Sequence, residues 1–149
     1  MIKLLTHTDP LMAQLIYQIF QVSYAVEADL LGSKNFPPLQ RTVNDIEQST
    51  TSFYGYWTND KLTGVIEIRS NQIKTHICSL TVHPNYFRQG IAIKLLEFTM
   101  KSYPSALYTV ETGLGNAPAV ILYENFGFIR QKTFMTDAGI EKVAFTLQK

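Results

Sequence analysis

The sequence predicts an α+β fold: one mixed, mostly antiparallel β-sheet flanked by helices. Three observations predict it. Three strand-like runs between Phe53 and Val82 follow one another through short turns, which builds an antiparallel meander. Two helix-like segments then each separate one strand-like run from the next, the β-α-β pattern. Ahead of the meander, Leu11, Leu15, Ile19 and Val22 recur at helical spacing, with Ile16 and Phe20 widening the stripe, as on a helix packed against a sheet. With 149 residues, 46% of them hydrophobic, the chain is long enough to bury a core. No repeat, low-complexity tract or linker divides it, so residues 1–149 are expected to form one domain.

The elements follow in order. Ile2–Leu5 reads as a short strand. Asp9 followed by Pro10 is a helix start, with Pro at the first helical position, and the helix is expected to run to about Leu30 and stop near Gly32. Ser33–Gln40, with Pro37–Pro38, is a loop, and Thr42 with Asp45 caps a short helix. Phe53–Trp57 is a strand, Asn59–Asp60 centres a hairpin turn, and alternation from Leu62 to Arg69 marks the second strand. After a turn at Asn71–Gln72, Ile73–Val82 is the third strand, on which period two predicts that His76, Cys78 and Leu80 share a face. A helix with Ile91, Leu95 and Phe98 on one side ends before Tyr103–Pro104. Leu107–Thr112 is a strand, Asn116 caps a helix that Gly127 ends, and Phe128–Thr136 and Lys142–Leu147 are two further strands around Asp137–Gly139.

Composition narrows the partners. A formal net charge of +1 without a basic cluster points away from a nucleic-acid or membrane surface. The sole cysteine, Cys78, excludes an intrachain disulfide. No run of about 18 apolar residues exists, and the first residues carry too short an apolar run for a signal peptide, so a cytoplasmic location is expected. His7, His76 and His83 lack metal-ligand spacing, and no metal is expected.

The stretch Ser79–Met100 carries the first chemistry. Strand, polar loop and helix start follow one another, and the helix start offers unpartnered N–H groups beside Arg88 and Gly90. Gly90 has no Cβ to hold a ligand off, and Ala92 is small. A phosphate-bearing ligand suits such a corner.

Together with Asn116–Phe128, this stretch resembles the GCN5-related N-acetyltransferase (GNAT) superfamily. Its pattern of Gln or Arg, two residues, Gly, one residue, Gly or Ala is met at Gly90 and Ala92. Phe87 stands at its first position, with Arg88 and Gln89 following. The second stretch, from Asn116 through Tyr123 to Gly127–Phe128, resembles the late helix of that family. The resemblance spans nearly the whole chain and implies acetyl-CoA as cosubstrate. The pantetheine arm would pair with the backbone of Leu80, Thr81 and Val82. The pyrophosphate would sit on the amides of Arg88, Gln89, Gly90, Ile91 and Ala92, with Asn116 on the pantetheine and Tyr123 near the sulfur.

It also implies an acyltransferase that moves the acetyl group directly to a primary amine of a small molecule, peptide or protein. Tyr123 would be the general acid on the leaving thiolate. His76 and Glu111 compete for the base, and the N–H near Val82 would face the developing oxyanion. The acceptor pocket would draw on Tyr24, Glu27, Phe36, Pro37, Pro38 and Leu39, with Tyr54, Tyr56 and Glu67 from the neighbouring strands. A non-catalytic acetyl-CoA-binding module is the alternative. It would need Gly90, Ala92 and Asn116 but neither Tyr123 nor a base. A homodimer through the last strands is a further expectation.

Overall fold

Alternation along the central runs is realised as a seven-stranded sheet in the order β1-β2-β3-β4-β5-β7-β6. The computed structural model describes residues 1–149. Strand β1 (Ile2–Leu5) leads into α1 (Pro10–Leu31), and a single turn of 3-10 helix (Pro37–Gln40) precedes α2 (Val43–Glu47). The meander is β2 (Ser52–Thr58), β3 (Lys61–Ser70) and β4 (Lys74–Val82). Then come α3 (Ile91–Ser102), β5 (Leu107–Gly113), α4 (Ala117–Phe126), β6 (Ile129–Met135) and β7 (Glu141–Gln148).

Local chemistry sets the boundaries. Pro10 opens α1, and Gly32 closes it in the left-handed region at φ 64°. Thr42 and Asp45 form a reciprocal capping box on α2. Asn59 and Asp60, at φ 50° and 66°, make the two-residue β2–β3 turn whose twist matches its strands.

The two faces of the sheet bury different helices. Leu5, Phe53 and Val65 pack against Ala13, Ile16, Ile19 and Phe20 of α1 and against Ile46 of α2. On the other face, Ile66, Ile68, Ile77, Tyr108 and Val110 pack against Ile91, Leu95 and Leu96 of α3 and Val120 and Tyr123 of α4.

Two departures from regular pairing shape the centre. The β3–β4 register steps from Glu67 opposite Ser79 to Ile68 opposite Ile77, leaving Cys78 as the extra residue of a bulge. The parallel β4–β5 ladder joins only Lys74–Ile77 to Leu107–Val110. Beyond it the two strands separate, and the β5-facing edge of Cys78–Val82 has no strand beside it. Of the two expected crossovers, α3 joins the adjacent strands β4 and β5. The second, through α4, passes over β7, which pairs with β5 on one side and β6 on the other.

Candidate active site

The gap between β4 and β5 opens into two cavities. The first, about 430 Å3, is walled by Val26 and Leu30 of α1, Leu80 and Val82 of β4, and Pro118 and Leu122 of α4. Tyr86–Arg88 and Gly90–Ile93 form its end. Here the backbone is unusual: Arg88 has φ 64° and Gly90 φ 77°. Left-handed residues in such a loop turn successive N–H groups to one side, and Gly90 then starts α3, whose first-turn N–H groups have no intrahelical acceptor. A side chain at Gly90 would meet no protein atom within 4 Å, so the φ angle is what selects glycine there. An apolar slot ending in a cradle of N–H groups beside Arg88 fits a long, largely apolar arm that ends in phosphate. Gly90→Ala is expected to strain the cradle by about 1–2 kcal/mol, weakening CoA binding roughly tenfold by calorimetry.

The second cavity, about 550 Å3, lies on the α1 face. Tyr24 and Glu27 of α1, Phe36–Pro38, Cys78–Leu80 of β4, Val110–Thr112 of β5 and the β6–β7 connection from Thr136 to Ile140 surround it. Its charged groups are the carboxylates of Glu27, Glu111 and Asp137 and the ammonium of Lys142. Lys142 Nζ lies 3.8 Å from Glu111 Oε1. Such a lining favours a cationic guest.

Glu27, Leu80, Asn116, Ala119 and Tyr123 line both cavities, so the two meet there. Asn116 caps α4 by accepting from Ala119 N–H at 3.3 Å. Burial pushes the Glu27 carboxyl above the usual range, against the opposing pull of the Asn116 amide, the Gly113 backbone and Lys142. The Tyr123 ring is packed edge-on to Phe128 and against Phe145. Its residue is 4% exposed and lines both cavities. Burial first, and then the Glu27 charge, push that phenol up, so it stays protonated across the neutral range.

Several expectations change. The bulge at Cys78 breaks the period-two alternation, so His76 and Leu80 point to opposite faces: His76 is opposite Arg69, whereas Leu80 is opposite Ile66. His76 lines neither cavity, and its Nδ1 is 2.7 Å from Thr109 Oγ1. Burial lowers its pKa, the nearby Glu111 charge notwithstanding. Tyr54 and Tyr56 are not in the acceptor cavity, because alternation in β2 turns Phe53 toward α1 and Tyr54 toward α3, where its ring meets Phe98 and its hydroxyl bonds that of Tyr103. Tyr56 lies beside Lys94 of α3. Leu39 packs near Phe36 outside the cavity lining. Among the cradle residues, Gln89 is exposed and outside the lining, and the Thr81 side chain is turned to the α1 face, donating to Val65 C=O.

Glu67 is also outside both cavities. It is 2% exposed, and its oxygens accept from Arg41 Nη1 and Nη2 at 2.7 and 2.9 Å, Thr51 Oγ1 at 2.6 Å and Ser79 Oγ at 3.0 Å. All its acceptor sites are taken, which leaves it unsuited to bind an acceptor or take a proton. Burial alone would raise its pKa; the Arg41 guanidinium and the two hydroxyls more than reverse this and hold it below the ordinary 4.5. A depressed carboxyl adds stability above its unfolded pKa and loses it as pH falls through the folded value. The acid slope of the melting temperature between about pH 6 and pH 2 is therefore expected to flatten in Glu67→Gln.

Sequence reasoning missed Arg41, Thr51 and Ser79, whose meeting is set by register. It also missed the wall from Thr136 to Ile140 and Lys142, which reach the cleft only because β7 lies next to β5.

Against known proteins, residues 29–149 match the acetyltransferase (GNAT) domain family. The chain is 36% identical over 148 residues to the UPF0157 protein YqkA of Bacillus subtilis, covering 99% of this chain and 43% of that protein, so it spans less than half the length of that relative. The ribosomal-protein-S18-alanine N-acetyltransferase of Escherichia coli superposes with a TM-score of 0.76 at 20% identity, over 99% of this chain and 92% of that one. The PaiA N-acetyltransferase of Thermoplasma acidophilum, solved with coenzyme A, does so with a TM-score of 0.70 at 17% identity, over 100% and 99%. At these identities the structural likeness concerns the fold alone. No helix of the chain is long and apolar enough to cross a membrane.

Proposed function

The chain belongs to the GNAT acetyltransferase family, and from that premise we propose that it moves an acetyl group from acetyl-CoA directly to a primary amine, carried by a small molecule or by a peptide or protein. The observation that supports this most is the junction of the two cavities at Tyr123. The cradle and apolar slot suit the donor, the carboxylate-lined cavity suits an ammonium, and a protonated phenol stands between them.

Each residue then has a task. The N–H groups around Arg88–Ala92 hold the pyrophosphate, and the unpaired edge of Leu80–Val82 bonds the pantetheine amides. The N–H near Val82 faces the thioester oxygen, where negative charge develops. Tyr123 gives its proton to the departing sulfur. Glu111, on the acceptor wall and partly open to solvent, takes the proton of the incoming ammonium, directly or through a water. His76, away from the cavity, is not needed for this. Cys78 faces the acceptor cavity, but burial and then the Glu67 charge push its thiol up to about 11, so it is a poor nucleophile near neutrality and direct transfer is favoured.

The reading is tested by calorimetry with CoA and acetyl-CoA, followed by thiol release over a panel of polyamines, amino sugars, free lysine and short peptides with different first residues. Acetyl-CoA binding with amine-dependent thiol release is expected. Absence of CoA binding overturns the reading, and binding without release by any amine supports the non-catalytic alternative.

A further inference from the structure

We propose that the buried ion pair of Arg41 and Glu67 is a positioning element for the acceptor half of the site. It fixes where β4 leaves β5 and holds the Pro37–Pro38 wall against that point.

Three observations converge. First, Glu67 binds Ser79, the residue beside the β4 bulge, at 3.0 Å. The β4–β5 ladder ends at Ile77 opposite Val110, one residue before that bulge. The carboxylate thus grips β4 two residues past the end of the ladder, just beyond the bulge, where the strand swings away.

Second, Arg41 directly follows the 3-10 turn whose Pro37 and Pro38 line the acceptor cavity. Its guanidinium is fixed at both ends: the fork is bidentate on Glu67, and its carbon lies 5.7 Å from the ring centres of both Phe20 and Phe53. Gln21 of α1 also donates to Leu39 C=O at 3.0 Å, tying the same turn down. The loop is thereby tied to the same carboxylate that grips β4.

Third, the network touches one cavity only. Ser79 lines the acceptor cavity, and none of Arg41, Thr51, Glu67 or Ser79 lines the donor cavity. A buried ion pair gains little stability over an apolar pair of the same volume, since desolvation offsets the attraction. What it supplies is direction: donors from three separate segments converge on one carboxylate, and only one arrangement of those segments satisfies all of them.

Cys78 reports on this arrangement, being the bulge residue, a wall of the acceptor cavity and the sole cysteine. The test is the rate at which native protein, free of CoA, reacts with Ellman's reagent as a function of pH. The variants are Glu67→Gln and Arg41→Met, with CoA affinity measured by calorimetry in parallel. The two substitutions change the charge near the thiol in opposite senses. By charge alone, Glu67→Gln speeds labelling and Arg41→Met slows it. If the pair positions the bulge, both speed it, about tenfold or more near pH 8, while CoA affinity stays within about twofold of the parent.

Opposite changes in the two variants, unchanged rates, or a CoA affinity that falls in step with faster labelling each overturn the proposal. Should Arg41→Met not fold, Arg41→Lys keeps the charge and loses the fork, and it too is expected to label faster; a parental rate there overturns the proposal. The idea rests on the acceptor reading of this cavity for its consequence, but neither readout involves acetyl transfer. An inactive protein leaves it standing, and parental labelling leaves the transfer reading standing.

Discussion

Tyr123→Phe is expected to lower kcat at least a hundredfold while CoA affinity stays within about twofold. The magnitude is what loss of a positioned general acid costs, about 10²-fold to 10⁴-fold. The substitution is clean for structural reasons. The ring keeps its contacts with Phe128 and Phe145, and the residue stays in the lining of both cavities. The melting temperature is therefore expected to move little, which separates a chemical defect from a folding one. Single-turnover thiol release, with calorimetry on the same preparation, is the measurement. A variant that turns over at the parental rate removes Tyr123 from the proton path.

Glu111→Gln is expected to cost about a hundredfold in kcat/KM. Stability is again little affected, because the pair with Lys142 at 3.8 Å is partly solvated, and such pairs contribute about 0–1 kcal/mol. His76→Gln is the contrast. Its ring binds Thr109 away from the cavity, so activity within about threefold of the parent is expected. A hundredfold loss in His76→Gln beside near-parental activity in Glu111→Gln would reverse the assignment.

Much of the fold is written locally. Pro10 and Gly32 bound α1, the Thr42–Asp45 box starts α2, Asn59–Asp60 turns the first hairpin, and Asn116 and Gly127 bound α4. Each is a short-range preference that a few residues decide by themselves. The site was less legible for reasons of the same kind. Period two says which residues of β2 share a face but not which helix that face meets, so it does not tell that Tyr54, expected in the acceptor pocket, turns to α3 instead. A bulge adds one residue to one strand for no visible sequence cause, and the single step at Cys78 reversed the side of His76 relative to Leu80. Arg41 and Glu67 are 26 positions apart, and Thr51 and Glu67 16, so nothing local announces that they meet. The crossover over β7 is likewise a matter of strand order, which periodicity does not encode.

That strand order bears on how the protein is made. During synthesis β5 and β6 both emerge before β7, the strand that must lie between them. The meander from β2 to β4 can close by neighbour-to-neighbour hairpins as it appears, and β1, already made, can join once β2 emerges, whereas β5 and β6 must wait with open edges for a later segment. The β5 wall of the cleft is therefore expected to be the last part to become rigid on the ribosome, and the part most exposed to chaperones and proteases beforehand.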